Sequence, residues 1–452
     1  MSKRMSEAGG PRAQWRTAHG FVLAALGGAI GLGNIWRFSY VVGENGGGAF
    51  LLIYGTTLLL IGLPMLLAEL SVGQTTQREA ASAFSQLARN HAWRHVGLLG
   101  IIVAFVILTY YVVICGWALK YFVVFAAGLY PREVGGAPAY YNAFITSPIE
   151  PTFWHAVVMA MTVGVVISGV ERGIERTNKL LMPALGLIVI ALAIHSLTLS
   201  DAWRGLLFLF APNWEALAQP RIYLAALGQA FFSLGLAMGF LVTYGSYIPR
   251  NRRLSNIGVI IVLGDTLFAV VAALVIFPAV FSFGMDPTQG PGLAFVTLPE
   301  IFARMTGGAI VGTAFFGLLV LAAVTSSVAL LEVSVAFVIE QWSWSRTRST
   351  LSVAAVAFGL GVPSSLGFGP WSSVKLAGLP ILEAVDFFAS NVVLPLSGLA
   401  VALFVGWHWS EANTGNVVGF RHGWAVQAWR FLIRYIVPIA IVIIILRSVS
   451  VL

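Results

Sequence analysis

Charge is what this chain has least of. Only 10% of its 452 residues are Asp, Glu, Lys or Arg, whereas 58% are hydrophobic. Soluble domains carry about 25% charged residues. A surface facing water on all sides is therefore excluded, and lipid must be the main solvent. Cysteine is nearly absent as well. The single Cys115 falls in an apolar stretch and excludes any intrachain disulfide. Strict alternation of apolar and polar residues is missing, which argues against a membrane β-barrel. No soluble domain or low-complexity linker interrupts the chain. The short polar N-terminal tail lacks a signal-peptide cleavage pattern.

What is present is a succession of apolar stretches of ~20 residues or more, enough to cross a ~30 Å hydrocarbon core as helices. About eleven spans are expected, beginning near Gly20, Gly48, Val96, Thr152, Lys179, Tyr223, Ile257, Ala309, Ser352, Leu382 and Trp429. The longest outer loops fall near 127–151, with Pro131, Gly135, Gly136 and Pro138, and near 284–306. The net charge of +8 is not a nucleic-acid footprint. Lys3, Arg4, Arg12 and Arg16 precede the first span, Arg78, Arg89 and Arg94 follow the second, and Arg250, Arg252 and Arg253 follow the sixth. These sites alternate with charge-poor loops, as the positive-inside rule expects for a cytoplasmic N-terminus. An odd number of spans then leaves the C-terminus outside.

Two spans in corresponding places are unusual. The first holds Gly27, Gly28, Gly31 and Gly33 in a short run ending at Asn34, and the sixth holds Ser233, Gly235 and Gly239. Glycine lowers helix stability by about 1 kcal/mol relative to alanine and lets the backbone unwind. Paired broken helices five spans apart are the trace of an inverted-repeat carrier with its site at mid-membrane. Close packing of small residues would leave the same glycines, so glycines alone leave both readings open.

The motifs add to this. Gly31-Leu32-Gly33-Asn34-Ile35-Trp36-Arg37-Phe38, followed by Glu44-Asn45-Gly46-Gly47-Gly48-Ala49-Phe50, closely resembles the opening signature of the neurotransmitter:sodium symporter family. Gly228-Gln229-Ala230-Phe231-Phe232-Ser233-Leu234 on the sixth span, Phe295-Val296-Thr297-Leu298-Pro299 in an outer loop and Thr325-Ser326-Ser327 on the eighth span follow in the family's order. The resemblance is collinear from about Trp15 to Arg434 and points to a bacterial member. It implies an all-α membrane protein with a leucine-transporter-like fold: two inverted five-helix repeats with helices 1 and 6 broken, then helix 11. One domain covers 1–452, with the first repeat at roughly 18–200, the second at 221–408 and helix 11 at 426–451. Many relatives have a twelfth helix, whose absence bears on oligomeric contacts rather than on transport.

The same resemblance implies two sodium sites and no organic cofactor. Sodium needs hard oxygen ligands, which unwound backbone supplies. One site would use backbone oxygens of Gly27, Ile30 and Ala322 with the hydroxyls of Thr325 and Ser326. The plain alternative for those hydroxyls is back-bonding to the preceding helical turn. The other site would use Ala29, the side chains of Asn34 and Ser233, and Asp265, completed by the substrate carboxylate. Asp265 is an acid in mid-span, which is expensive and should have a partner. Many animal relatives have Asn there and a Ser one turn later, which together help hold chloride. Here the later position is Ala269, so the fixed charge of Asp265 stands in for chloride. A structural acid paired with an unseen base is the alternative.

An amino-acid substrate is implied, held at the first break by Gly28, Ala29, Gly31, Leu32 and Gly33. Gly31 occupies the place where monoamine carriers have an Asp that holds the amine. Its absence favours a substrate with its own carboxylate, to which Tyr111 would hydrogen-bond. Ile107, Phe232, Ser233, Gly235, Met238, Ser326 and Leu330 complete the site. Gly28, Gly235 and Met238 suggest a roomy apolar pocket for a hydrophobic or aromatic side chain, with a small β- or γ-amino acid or related osmolyte as the alternative. Arg37 and Asp386 would form an outer ion pair above Phe232. Arg12 and Glu340 would form an inner pair near Trp15 and Tyr247.

Three rival classes differ in what they need. A channel repeats short pore units around an axis, whereas this chain carries both breaks in one subunit. A membrane enzyme needs a clustered constellation, yet the seven His are scattered without metal-ligand spacing, and no Gly-Lys-Ser/Thr follows Gly27 to Gly33. A nutrient sensor built on a carrier fold stays open. The expected setting is the bacterial cytoplasmic membrane, multi-pass, with sodium, the amino acid and the bilayer as partners.

Overall fold

The computed structural model describes residues 13–131, 136–288, 290, 292–409, 418–420 and 423–449. Among the described residues nine helices are long and apolar enough to cross a membrane, and the bent pair Ala18–Ala29 and Gly33–Glu44, counted as one span, makes a tenth. The split helix Pro220–Ser233 and Phe240–Gly245, whose halves are short, stands where the sixth span is expected. In chain order the second to fifth spans are Gly48–Thr76, His91–Ala126, Glu150–Ile167 and Val170–Leu197. The seventh to eleventh are Leu254–Ser282, Gly308–Trp342, Arg346–Leu366, Ile381–His408 and Gly423–Leu446. The expected starts all fall within or beside these helices. Short helices Ala80–Ala88, Ala137–Ile145, Ala202–Phe210 and Leu298–Arg304 join them, with one small antiparallel hairpin, Lys375–Leu376 against Leu379–Pro380.

Burial sorts the spans. The most apolar window of the eighth span is 83% buried and that of the third 72%, against 33% for the fourth and fifth. The third and eighth therefore form the centre, and the peripheral helices shield it from lipid. Leu180, Leu187, Ile310 and Leu446 lie 66–77% exposed on span surfaces. Such an apolar periphery is a liability in water and an ordinary boundary in lipid. Pro183, Pro278 and Pro363 sit inside spans. Membrane helices tolerate this because neighbouring groups re-satisfy the freed carbonyls.

Both breaks have local causes. The first span begins at the N-cap Thr17, whose hydroxyl accepts from Gly20 N, and it leaves helical geometry at Ile30, with ψ at 100°. The chain resumes as a helix at Gly33, bent by 57° from the first half. In the sixth span Gly235, Ala237 and Gly239 lie at φ of 62°, 63° and 65°. Glycine adopts this region freely, whereas a left-handed alanine costs roughly 1–2 kcal/mol. Two side chains hold Ala237 there. Glu69 Oε1 on the second span accepts from its N–H at 2.6 Å, and Ser397 Oγ on the tenth donates to its carbonyl at 2.7 Å.

This clamp generates a stability test. Ala237→Val adds β-branching at a positive φ and should cost about 1–3 kcal/mol, whereas Ala237→Gly should be tolerated. Thermal melting of the purified protein in detergent measures both. A valine variant as stable as the parent would remove the claim of strain.

Candidate functional site

The first break exposes a run of backbone groups, and neighbouring side chains take up several of them. Tyr111 on the third span accepts from Leu32 N at 3.2 Å, Asn34 Oδ1 accepts from Gly31 N at 3.2 Å, and Gln229 Nε2 donates to Gly33 O at 2.9 Å. The carbonyls of Gly27 and Ile30 are left facing Ser326 Oγ, each at 3.4 Å. One hydroxyl proton cannot serve two acceptors, and 3.4 Å is long for an O–H···O bond. It is the spacing of adjacent oxygens around a cation with ligands at ~2.4 Å, within the range of hard oxygen sites. Thr325 lies on the same turn, its hydroxyl 2.9 Å from Ala322 O and 3.2 Å from Leu321 O. Thr325 thus back-bonds as the plain alternative expects, and Ser326 instead reaches across to the first span.

A second polar cluster lies beside the first. Asn34, Ser233 and Asp265 are all fully buried. Asn34 Nδ2 donates to Asp265 Oδ1 at 2.7 Å and to Ser233 Oγ at 2.9 Å, and Ser233 Oγ donates to Asp265 Oδ2 at 2.7 Å. Among the described residues no base pairs with Asp265. The buried hydroxyl of Tyr54 faces Ser233 and Asp265, and Ala269 is fully buried one turn on. A buried carboxylate held only by neutral donors is costly without a counter-charge. Such a group favours a small cation in contact with it.

One cavity of about 40 Å³ lies between the breaks, lined by Gly28, Ala29, Gly31, Gly33, Ile107, Tyr111, Phe232, Gly235, Met238, Ser326 and Leu330. Every one of these is a residue expected at the substrate site. Leu32 and Ser233, also expected there, do not line it: the Leu32 N–H donates to Tyr111, and the Ser233 hydroxyl is engaged by Asn34 and Asp265. Gly31 has no room for an acid, because a Cβ there would lie 2.5 Å from Ser326 Oγ and 2.7 Å from the Tyr111 hydroxyl. The expectation of a roomy pocket is corrected. Phe240 fills the space beside the two glycines, with Cε2 2.5 Å from a Cβ built on Gly28 and Cδ1 3.0 Å from one on Gly235.

The outer gate differs from expectation too. Arg37 and Asp386 form no direct ion pair. The Arg37 guanidinium lies over the Phe232 ring, 4.4 Å from its centroid, and Asp386 accepts from Tyr110 at 2.6 Å and Ser390 at 3.0 Å. A water-exposed pair is worth about 0–1 kcal/mol, no more than the cation–π contact it would replace. Arg12, the expected partner of Glu340, lies outside the described residues, as do Lys3 and Arg4. Glu340 pairs with Arg78 at 3.2 Å and accepts from Glu79 N at 3.0 Å. Burial raises the Glu79 carboxyl above its ordinary range, although it caps Ala80–Ala88 through Ala81 N and Ser82 N. Trp15 seals this face. Its N–H donates to Tyr247 O at 3.1 Å and its indole to Tyr244 O at 3.0 Å.

Glu332, Arg346, Glu69, Tyr54 and Phe240 escaped the sequence reading. Tyr247 donates to Glu332 at 2.7 Å, and Glu332 pairs with Arg346 at 2.5 Å, which in turn donates to Val166 O at 2.7 Å. Glu332 and Glu69 are acids inside apolar runs, and that alone is a signal of function. Phe240 and Tyr54 carry no such signal, because a ring in a span is ordinary packing.

Comparison with known proteins follows this geometry. The model of the sodium:neurotransmitter symporter family matches residues 12–131 and 145–452. The chain is 38% identical to the uncharacterized sodium-dependent transporter YhdH of Bacillus subtilis (strain 168), over 97% of this chain and 98% of that protein. An uncharacterized sodium-dependent transporter of Haemophilus influenzae is 31% identical over the same shares, 97% and 98%. Among solved structures, MhsT in complex with L-phenylalanine aligns with a TM-score of 0.90 and 47% identity, covering 97% of this chain and 100% of that one. The fold is therefore the leucine-transporter-like one, with two inverted five-helix repeats opened by the broken first and sixth spans.

The buried pair of Glu332 and Arg346 generates a test. Arg346→Met should destabilise by about 3–5 kcal/mol, because it leaves Glu332 buried and unpaired, and adding Glu332→Met should recover most of the loss. Melting curves of the three proteins in detergent decide it. A single variant as stable as the parent would show that the pair is dispensable.

Proposed function

The chain belongs to the sodium:neurotransmitter symporter family, and on that premise we propose that this sodium-dependent symporter carries a hydrophobic or aromatic amino acid into the cell without needing chloride. The observation that carries this reading is the meeting of three features at the two breaks: bare carbonyls beside Ser326, the buried acid Asp265, and a cavity with no acid of its own. Sodium is the driving cargo. Gly27, Ile30, Ala322, Thr325 and Ser326 hold one ion, and Ala29, Asn34, Ser233 and Asp265 hold the other with the substrate carboxylate. The substrate carboxylate also faces Tyr111 and the N-terminal end of Gly33–Glu44, where helix N–H groups favour negative charge. The ammonium goes to free carbonyls near Phe232.

The solved relative with L-phenylalanine supports an amino acid as substrate. The 40 Å³ cavity favours one other reading, a compact β- or γ-amino acid. The setting is the bacterial inner membrane with the N-terminus in the cytoplasm, where basic residues cluster between spans. Phe232 with Arg37 closes the outer side, and Trp15 with Tyr247 closes the inner side. Each opens in turn.

Uptake into liposomes tests the coupling. Inward sodium should drive accumulation, since each charge crossing 100 mV supplies about 2.3 kcal/mol. The double variant Thr325→Ala, Ser326→Ala should bind substrate poorly and accumulate none, and equal uptake with potassium outside would refute sodium coupling.

Chloride is tested in the same vesicles. Uptake by the wild type should persist when gluconate replaces chloride. Asp265→Asn should lose activity there, because the charge beside the sodium disappears. Collapse of wild-type uptake in gluconate would refute the assignment of Asp265.

A further inference from the structure

The cavity between the breaks is too small for a large side chain. At about 40 Å³ it has space for roughly three waters, each of which needs ~10–15 Å³ on this measure. A short aliphatic group approaches that size, whereas an aromatic ring does not. For a ring to enter, a neighbour must move, and the glycines identify which one.

Phe240 is 2% exposed and lies against the cavity wall at Gly28 and at Gly235, with Ala329 beside Gly28. Glycine presents no side chain, so at these two positions the Phe240 ring takes the space that a side chain lining the cavity would fill. Phe240 also starts the half-helix Phe240–Gly245, directly after Gly239 at φ 65°. Met238, one residue before that glycine, lines the cavity. A ring on the first turn after a left-handed glycine can shift with its short helix more easily than one inside a long span. Behind Phe240, the Tyr244 ring packs at 4.6 Å between centroids with an interplanar angle of 64°. Tyr244 is itself packed against Trp15 at 5.2 Å. The ring has a defined seat, but that seat is built of other rings rather than of hydrogen bonds or charges.

We propose that Phe240 is the specificity-determining residue for side-chain size. In its seat it restricts the cavity to short aliphatic side chains, and larger ones enter only by displacing it. This rests on the amino-acid reading of the pocket and goes beyond it by naming the residue that ranks the amino acids. Gly28 and Gly235 then serve the ring, not the substrate: they leave the space in which Phe240 sits. A large side chain bears the cost of unseating the ring, so shrinking the ring should help large ligands selectively.

The test is competition against radiolabelled L-leucine on purified full-length protein in sodium buffer, with unlabelled L-leucine and L-tryptophan as competitors. In Phe240→Leu the affinity ratio of tryptophan to leucine should rise about tenfold, and further in Phe240→Ala, in line with the worth of a methylene or more in an apolar pocket. Gly28→Ala puts a methyl where the ring sits. It should weaken leucine binding in the wild type and be tolerated in the Phe240→Ala background. A ratio within about twofold of the wild type in both Phe240 variants, with binding retained, would overturn the proposal alone. Equal loss of both ligands in Phe240→Leu would also overturn it, since a merely structural residue loses all ligands together. A wild type that binds neither amino acid would overturn this proposal together with the amino-acid reading.

Discussion

A helix that stops inside a bilayer leaves peptide groups with no water to turn to, and each one left bare costs several kcal/mol. Two spans of this protein stop there, and most of the site follows from how the freed groups are answered. Where the chain can spare side chains it uses them: Tyr111 for Leu32, Gln229 for Gly33, and Glu69 and Ser397 for the two sides of Ala237. These residues come from the second, third, sixth and tenth spans, so the breaks also tie the outer helices to the centre. Facing the eighth span, what is left over is acceptor. The carbonyls of Gly27 and Ile30 face only a shared hydroxyl. A surplus of oxygen lone pairs in a dry interior is a seat for a cation.

The two faces of the molecule are closed by different forces. On the side of the N-terminus, Trp15 is wedged by hydrogen bonds to Tyr244 and Tyr247, and the Glu332–Arg346 pair stands behind them. On the other side, Arg37 and Ser390 line a cleft of about 380 Å³, and the Arg37 guanidinium lies over the Phe232 ring. Cation–π contacts at exposed sites contribute about 0.5–1 kcal/mol, less than a buried pair whose rupture costs several. The contacts at Trp15 and Glu332 are thus stronger than the one between Arg37 and Phe232. In the proposed function this inequality has to reverse, and a ligand that binds across both breaks is placed to shift it.

How much of this the sequence disclosed depended on whether a residue's chemistry is unusual for its surroundings. An acid in a span is expensive in lipid, so Asp265 was legible by its chemistry. The glycines marked both breaks as one of two readings, and Asn34, Ser233 and the residues lining the cavity followed from the family resemblance. The failures concern partners and space. Arg37 and Asp386 were matched by charge, but sequence does not disclose that Tyr110 and Ser390 satisfy the acid while Phe232 occupies the base. The two glycines were taken as empty volume, and Phe240 fills it. A missing side chain says that something comes close; it does not say whether that is a ligand or a neighbouring ring.

Asp265 shows why the exact partners matter. Had a lysine or arginine answered it, the pair would have been self-sufficient, and a passing cation could have gained little from the site. Its donors are an amide and a hydroxyl instead, and both sit on broken spans. They orient the carboxylate without neutralising it, so its charge remains open to an ion that arrives and leaves. Because Asn34 belongs to the first break and Ser233 to the sixth, an ion bound at that carboxylate draws the two broken helices toward each other. In the proposed function the substrate lies between the same two helices. Ion and substrate would then each stabilise the arrangement the other needs, and by linkage each would raise the other's affinity by the same factor.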